Sequence, residues 1–346
     1  MKLIPYLILF FVSCKNLSIP MIPDNSPKPH HTLNGFQNLN SDFKPKGLGD
    51  VLLWNIGNLF KTLPSVEPKD YLIETLTNDG VKLRENKSKT SFTWIGHASV
   101  LIQLDGKNIL TDPIWSERCS PVSFLGPKRF TKPGVKIEDL PQIDIVVISH
   151  NHYDHMDLPT LKELDNRYKP TFYVGLGNRK LLIEEGLTNV VELDWWDIRH
   201  DKDLKINFTP TQHFSGRGVL DHGKTLWGSY VIEGKSDTVY FAGDTSYFAG
   251  FKEIGNRFSK IDVAILPIGA YEPRWFMKPV HMNPEDTIQA FSDLGAKYML
   301  PIHYLTFVLT DEALDEPLKL TKSLFESKKI NPDLLIDLKI GESRFY

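Results

Sequence analysis

A short motif of histidines and aspartate behind an apolar run constrains this chain more than any other feature of its sequence. The run IDIVVIS predicts a buried β-strand and leads directly into the letters HNHYDH. Side chains two residues apart in extended backbone point the same way, so His150, His152 and Asp154 converge, and a turn after the strand brings in His155. Four ligand side chains within six residues, behind a buried strand, predict a metal site rather than a chance surface cluster.

Three further donor residues follow the same rule, each directly after a short apolar strand. His213 follows INFTP, Asp244 follows VYFAG and His303 follows YMLPI. Residues at strand ends and in the adjoining loops sit on a rigid support, so the donors are expected to share one pocket. Imidazole and carboxylate without thiolate favour zinc, iron or manganese, and this many donors favours a pair of ions. The spacing alone does not fix which donors share an ion.

Three other polar residues each have two interpretations. His97 in TWIGHAS and Asp112 in ILTDP also follow apolar strands. Both are candidates for the outer hydrogen-bond partners that orient ligand imidazoles, with a structural turn role as the alternative. His281 comes just before a predicted helix start at Asn283, so it is either an acid in the pocket or part of the helix cap. The remaining histidines lie in polar, loop-like surroundings and are expected to be exposed: His30, His31, His200 and His222.

The composition excludes several classes of protein. The 346 residues are 41% apolar and 24% charged, which is enough to bury a large core and excludes wholesale disorder. The formal charge of -3 argues against a nucleic-acid partner, because such proteins use a basic balance to displace counterions. The two cysteines, Cys14 and Cys119, cannot build a disulfide framework or a thiolate zinc cluster. The oligomeric state stays open, with a homodimer as one possibility.

From Thr90 onward, short apolar runs separated by turn residues predict strands, and helical segments intervene. This alternation predicts an α/β fold with two β-layers covered by helices. The pair Asp105-Gly106 predicts a hairpin. Helices are predicted over 158–168, 180–185 and 284–294. A further helix over 49–60 is expected to pack on the core or, alternatively, to face a membrane.

The N-terminus resembles an export signal. Residues 1–14 combine a basic start, an apolar run too short to cross a membrane, and a small residue before Cys14. This pattern predicts a bacterial lipoprotein that is lipidated at Cys14 and anchored to the membrane surface in the periplasm or at the outer membrane. An ordinary cleaved signal, or an uncleaved cytosolic chain, are the alternatives. The Pro-rich residues 15–34 are expected to be a flexible, solvated tether.

Beyond the metal motif, many segments resemble one family. They are TDPIWSERCSPVSFLGPKRF, LPQIDIVVISHNHYDHMDL, ELDWW, FTPTQHF, LWGSY, FAGDT, IGAYEPRWFM and the ending GESRFY. The chain from about Gly35 to Tyr346 is similar to metallo-β-lactamase-fold hydrolases, and within them to N-acyl-phosphatidylethanolamine-hydrolysing phospholipase D and its bacterial relatives. The shared fold alone says little about substrate, and YEPRWFM is the more specific segment.

The resemblance implies one catalytic domain over 35–346 with an N-terminal extension, folded as an αβ/βα four-layer sandwich. It implies two zinc ions, with iron or manganese as alternatives, and a catalytic role for Asp154, Asp244 and His281. Tyr271 and Glu272 would lie near the substrate. The implied ligands are His150, His152 and His213 for one ion, Asp154, His155 and His303 for the other, and Asp244 as the bridge.

The implied reaction is cleavage of a membrane phospholipid, N-acyl-phosphatidylethanolamine, into an N-acylethanolamine and phosphatidic acid. Two alternatives remain open at the level of sequence. The same metals serve hydrolases of lactones or other phosphodiesters on this fold, and a surface lipoprotein can keep the scaffold without catalysis.

Overall fold

A computed structural model describes residues 28–39, 46, 48–59, 73–218, 220–258 and 260–346. The predicted signal peptide, Cys14 and residues 15–27 of the predicted tether lie outside these residues. Within the described ranges, every helix is too short or too polar to span a bilayer.

The described chain alternates strands and helices. Its strands are β1 (His31–Thr32), β2 (Gly35–Phe36), β3 (Ser91–Gly96), β4 (Ser99–Leu104), β5 (Lys107–Thr111), β6 (Ile145–Val147), β7 (Thr171–Gly175), β8 (Val190–Leu193), β9 (Ile198–Asp201), β10 (Leu204–Thr209), β11 (Ser229–Glu233), β12 (Thr238–Phe241), β13 (Val263–Pro267), β14 (Tyr298–Ile302) and β15 (Ser343–Phe345). Its α-helices are α1 (Leu48–Leu59), α2 (Val81–Glu85), α3 (Leu158–Tyr168), α4 (Arg179–Glu184), α5 (Gly250–Arg257), α6 (Arg274–Met277), α7 (Pro284–Leu294) and α8 (Glu316–Ser327). Two short 3-10 helices cover Ile137–Asp139 and Pro332–Leu334.

Two large sheets form the centre of the domain. The first has seven strands in the order β15-β3-β4-β5-β6-β7-β8, and the second has six in the order β14-β13-β12-β11-β10-β9. Strands β5 to β8 run parallel to one another, as do β12 to β14, and the other neighbours are antiparallel. The predicted hairpin joins β4 to β5. Asp105 and Gly106 both have positive φ, as a two-residue hairpin turn requires.

Three apolar clusters hold the layers together. Aromatic side chains from both sheets, including Trp94, Phe208 and Tyr230, fill the space between them. On its other face the seven-stranded sheet packs against α2, α3 and α4, and the six-stranded sheet packs against α5, α7 and α8. Each sheet is therefore apolar on both faces and covered by helices. The predicted αβ/βα four-layer sandwich is confirmed.

The helices with clear sequence signals lie where they were predicted. Helices α3 and α7 match the predicted residues, and α1 and α4 are displaced by one residue. In α7, Asn283 and Asp286 form a reciprocal capping box that fixes its start. Helix α1 packs through Trp54, whose ring lies 5.0 Å from that of Phe276, whereas Leu52, Leu53 and Ile56 are exposed.

The N-terminal segment 28–39 packs on the domain, although its residues 28–34 were predicted to belong to the flexible tether. His30 is buried and His31 is half-buried, so the expectation that both are exposed was wrong. Its Nε2 lies 2.6 Å from Asp194 Oδ1, and His31 Nε2 and Lys28 Nζ lie 3.0 and 2.7 Å from Asp194 Oδ2. His30 also stacks on the ring of Trp195. Lys28, His30, His31 and Asp194 are called the N-terminal clamp below. His200 and His222 are exposed, as expected.

Candidate metal centre

The donor residues meet because the strands that precede them end at one edge of the sandwich. Strands β3, β5 and β6 run in one direction within the seven-stranded sheet, and β10, β12 and β14 run in one direction within the other. Each strand therefore delivers the residue that follows it to the same rim. The residues delivered are His97, Asp112, the 150–155 motif, His213, Asp244 and His303.

Four donors surround one point at this rim, and we call this group the carboxylate site. His155 Nε2 lies 3.2 Å from Asp154 Oδ2, 3.1 Å from Asp244 Oδ2 and 3.3 Å from His303 Nε2. His303 Nε2 lies 3.4 Å from Asp154 Oδ2 and 3.2 Å from Asp244 Oδ1. Donor atoms of Asp154, Asp244 and His303 thus all lie 3.1–3.3 Å from the same atom, His155 Nε2.

Three histidines form a second group next to it, which we call the imidazole site. His152 Nδ1 lies 2.8 Å from His150 Nε2 and 3.3 Å from His213 Nε2. Asp244 Oδ2 lies 3.9 Å from His213 Nε2. Since Asp244 also belongs to the carboxylate site, it lies between the two groups. The structure thus brings together all seven predicted ligands.

These separations fit metal binding. Ligand nitrogens 2.0–2.1 Å from a tetrahedral ion lie about 3.3 Å from one another, which is close to the distances in the carboxylate site. The hydrogen bonds of the outer ring nitrogens support this assignment. Asp112 Oδ2 and the carbonyl of Val280 are acceptors, so His155 and His213 carry their protons on Nδ1 and keep the Nε2 lone pair free. The donor set therefore fits two divalent cations.

Burial and nearby charge shift the pKa values of the imidazoles in opposite directions in the two sites. Burial alone lowers the pKa of each ring. In the imidazole site, burial has the largest effect. The pKa of His150 and of His152 therefore lies well below the usual value, and the pKa of His213 falls to about 4. In the carboxylate site, Asp244 and Asp154 outweigh burial and raise the pKa of His303 to about 9. A cation that enters the carboxylate site must therefore displace a proton.

Three residues behind the ligands hold them in place. Asp112 is buried and accepts from His155 Nδ1 at 2.6 Å and from the Ser149 backbone N–H at 2.7 Å. Ser149 Oγ lies 2.9 Å from His150 Nδ1. His97 Nε2 donates to Asp154 Oδ2 over 2.9 Å. His97 and Asp112 thus lie directly against ligands, where such contacts orient the rings and raise their basicity.

The remaining candidate residues are placed differently from one another. His281 Nδ1 lies 3.9 Å from Asp244 Oδ2 and makes no hydrogen bond to any described residue. Burial lowers the pKa of His281 to about 3. Tyr271 is buried and its hydroxyl donates to Glu316 Oε1, and the backbone N–H of Glu272 donates to Glu312 Oε2. Among the described residues, no hydrogen bond of Tyr271 or Glu272 reaches a ligand.

The backbone at the rim has unusual dihedral angles. His97, Asp112 and His303 all have positive φ, at 53°, 33° and 67°. The register between β3 and β4 also shifts just before His97. Such conformations cost free energy in residues with a Cβ and concentrate at functional sites. They aim these side chains into the shared pocket.

Some residues at the site carry no signal that sequence reasoning detected. Ser149 is one letter among the apolar run, and the Val280 contact comes from a backbone carbonyl. Asn38, outside the catalytic motifs, donates from Nδ2 to the His213 carbonyl over 2.8 Å and accepts from the His213 N–H over 3.1 Å. These partners depend on tertiary contacts, so spacing along the chain does not reveal them.

One side of the pocket is open to solvent. The side chains of Asp154 and His281 are 15% and 12% exposed, whereas those of His155, His213 and His303 are 1% exposed or less. Asp154 and His281, together with half-buried His152, therefore face the side from which a substrate can enter.

Comparison with known proteins agrees with this geometry. The β-lactamase superfamily domain matches residues 107–304, which hold every predicted ligand. The N-acyl-phosphatidylethanolamine-hydrolyzing phospholipase D 1 of Caenorhabditis elegans is 38% identical over 72% of this chain and 74% of its own length. The mitochondrial N-acyl-phosphatidylethanolamine-hydrolyzing phospholipase D of Saccharomyces cerevisiae is 37% identical over 68% of this chain, which spans 51% of the yeast protein.

A solved structure supports the fold. The metallo hydrolase of the archaeon Ignicoccus hospitalis superimposes with a TM-score of 0.57 at 23% identity, over 75% of this chain and 99% of its own. At this identity the likeness concerns the fold alone. Together with the clustered donors and the family match, it leads to one conclusion. This chain is a metal-dependent hydrolase that belongs to the metallo-β-lactamase superfamily.

Proposed function

We propose that the chain is a zinc-dependent phosphodiesterase of the phospholipase D type that cleaves N-acyl-phosphatidylethanolamine into an N-acylethanolamine and phosphatidic acid. The observation that carries the proposal is the pair of donor clusters joined at Asp244, in a chain 38% identical to a relative named for this reaction. All seven predicted ligands and the more specific YEPRWFM segment lie within residues 107–304, which match the β-lactamase superfamily domain.

A phosphodiester resists hydrolysis because its negative oxygens repel a nucleophile and its alkoxide is a poor leaving group. Two bound divalent cations supply Lewis-acid polarisation of a phosphoryl oxygen and lower the pKa of a water to about 7. Asp244 Oδ1 lies 3.2 Å from His303 Nε2 and Oδ2 lies 3.9 Å from His213 Nε2, so Asp244 would be a ligand shared by the two cation sites. His97 and Asp112 keep Asp154 and His155 in position during the reaction.

His281 is the candidate group for the leaving oxygen. Its Nδ1 is free of hydrogen bonds within the described residues, and its ring is partly exposed at the open side of the pocket. Arg274 holds the residue from behind, since it donates from Nη1 to the His281 carbonyl over 3.0 Å and pairs with Asp286 at 2.6 Å. In this role, the neutral His281 ring donates a hydrogen bond from a ring N–H to the departing oxygen.

The test combines three substrates with one matched variant pair. Protein of known metal content is incubated with vesicles containing N-acyl-phosphatidylethanolamine, with a soluble phosphodiester and with a lactone, and the products are identified by mass spectrometry. We expect phosphatidic acid and N-acylethanolamine in equal amounts, and a loss in kcat of about 10²- to 10⁴-fold in His281→Ala. The exposed-histidine control His200→Ala keeps the wild-type rate. Turnover of the lactone alone would refute the phospholipase proposal.

The native metal is tested separately. Metal-free protein is reloaded with zinc, iron or manganese, and the rate is compared at equal occupancy. Zinc is expected to restore the highest rate, because nitrogen and carboxylate donors in a compact set suit it. A higher rate with iron or manganese would correct the metal and leave the reaction class in place.

We also propose that Cys14 anchors the enzyme at a membrane, where its substrate resides. A tether would raise the effective concentration of the bilayer substrate around the pocket. Palmitate labelling of wild type against Cys14→Ser tests this proposal in cells. Absence of label from the wild-type protein would refute the anchor without affecting the assignment of the reaction.

A further inference from the structure

Arg217 lies against the metal-binding turn although it is not a donor to either site. Its Nη1 donates to the carbonyl of Asn151 and to the carbonyl of Met156, both over 2.9 Å. These carbonyls flank the residues that carry the turn's last three ligands, His152, Asp154 and His155. The two N–H groups of Arg217 Nη1 can therefore each bind one end of the segment 151–156.

Two more contacts join the same segments. The guanidinium carbon of Arg217 lies 3.9 Å from the centre of the Tyr153 ring, and the Tyr153 hydroxyl donates to the Arg217 carbonyl over 2.9 Å. The Gly216 N–H donates to Asn151 Oδ1 over 2.7 Å. The segment that contains Arg217 begins just after His213, a ligand from the other sheet.

We infer that Arg217 is a positioning residue for the metal centre: it fixes the ligand turn 150–156 against the segment that carries His213. The turn supplies donors to both sites, and His213 completes the imidazole site. A change in the separation of the two segments therefore changes donor distances in both clusters. This role concerns how tightly cations are held, so it is independent of which substrate the enzyme cleaves.

An arginine suits this role for two reasons. Its planar guanidinium stacks on an aromatic ring while its N–H groups still reach both carbonyls. An apolar replacement would leave the carbonyls of Asn151 and Met156 without these donors, and an unsatisfied backbone carbonyl favours a shift of the turn. Lysine keeps the charge and can reach a carbonyl, but it has no planar face to stack on Tyr153.

Arg129 provides a matched control. Arg129 is buried, donates to three backbone carbonyls (those of Ile114, Ser116 and Thr131) and lies over the ring of Phe307, whereas Arg217 is half-buried. None of these carbonyls belongs to the turn 150–156. Arg129→Met therefore removes a similar set of contacts at a place that holds no ligand, and it reports the effect of general destabilisation.

The experiment measures zinc affinity without any substrate. Metal-free wild type, Arg217→Met, Arg217→Lys and Arg129→Met are checked for folding by circular dichroism and then titrated with Zn²⁺ against a chromophoric chelator. We expect zinc binding about 10- to 100-fold weaker in Arg217→Met, as for other residues that orient ligands, and an intermediate loss in Arg217→Lys. Arg129→Met is expected to melt at lower temperature and to keep its zinc affinity within about threefold of wild type.

Two results would overturn the inference. One is wild-type zinc affinity in folded Arg217→Met, or in Arg217→Lys should the methionine variant not fold. The other is an equal loss of affinity in Arg129→Met, which would make the effect one of general stability. Because lipid hydrolysis is not measured, failure of the phospholipase proposal would leave this test unchanged.

Discussion

The carboxylate site and the N-terminal clamp both place two imidazoles against aspartate, yet their atoms are arranged differently. In the clamp, each histidine nitrogen meets its own oxygen of Asp194, at 2.6 and 3.0 Å, and Lys28 adds a cation at 2.7 Å. In the carboxylate site, the single atom His155 Nε2 lies 3.1–3.3 Å from donors of three other residues. Paired short contacts indicate hydrogen bonds, and several equal, longer ones indicate a shared ion.

The two clusters also differ in the groups that balance the negative charge of their carboxylates. The clamp balances one carboxylate with a lysine. In the carboxylate site, Asp154 and Asp244 are both buried or nearly so, and within the described chain their only ion-pair partners are histidines. Two buried carboxylates need positive charge beside them, which protonated histidine supplies without metal and a bound cation supplies in its place. The same residue types therefore serve as a clamp in one region and as a metal centre in the other.

The largest effect is expected from Asp244→Asn, which removes a charge from the carboxylate site without changing its shape. Loss of the shared carboxylate weakens both cation sites, so hydrolysis should fall by at least about 10³-fold and the metal content should drop below two ions. Metal analysis of the purified protein and the rate of phosphodiester cleavage measure the outcome. Asp194→Asn makes the same change in the clamp and should leave both quantities near wild type. Equal metal loss in Asp244→Asn and Asp194→Asn would show that the clamp and the carboxylate site do not differ in metal binding.

Metal removal should produce the next largest effect. A cation that binds only the folded chain stabilises it by about 4 kcal/mol when present at 1,000 times its dissociation constant. The free energy of unfolding, measured with urea, is therefore expected to fall by about 4 kcal/mol when a chelator replaces excess zinc. Wild type and Asp194→Asn should both show the decrease, and Asp244→Asn should show much less of it. A decrease confined to wild type would mean that the clamp also holds a cation.

The sequence predicted the metal centre better than the clamp, and the reason is physical. Four of the predicted ligands lie in one motif behind a single apolar strand, and the other three each come after another apolar strand. A local pattern of an apolar run followed by a donor therefore predicts all seven. The clamp joins His30 to Asp194 across 164 residues, and nothing near either residue indicates the contact. His30 in a Pro-rich stretch was therefore predicted to be exposed, although it stacks on Trp195.

The same contrast holds for the fold. Helices α3 and α7 have a clear apolar period, and α7 also has a capping box, so their limits were predictable. Helix α5, with sequence GFKEIGNR, contains two glycines and few apolar residues, and it was missed. It forms because Phe251 and Ile254 are buried against the six-stranded sheet. Tertiary packing rather than intrinsic propensity stabilises this helix.

The clamp should also make a pH-dependent contribution to stability, because the pKa of Asp194 is lowered. Burial opposes ionisation of Asp194, but hydrogen bonds from His30 and Lys28 outweigh it and hold the pKa of Asp194 well below its usual value. Its contribution is therefore present above the usual carboxylate pKa of about 3.9 and is lost as the pH falls further. Asp194→Asn should lower the free energy of unfolding at pH 7 by about 1–3 kcal/mol. The difference between wild type and variant should shrink in acid; a constant difference would contradict the assignment.

The smallest effect on the metal centre should come from Asn38, which connects the clamped segment to that centre. Its side chain makes both backbone hydrogen bonds of His213, and Asn38→Ala removes them. Each such bond contributes about 1 kcal/mol, so the free energy of unfolding should fall by about 2 kcal/mol and zinc binding should weaken by less than about tenfold. Gln37→Ala, which truncates the exposed neighbour, is the control for both measurements. If Asn38→Ala lowers stability but keeps wild-type zinc affinity, the N-terminal segment supports the fold alone, and the two regions are independent.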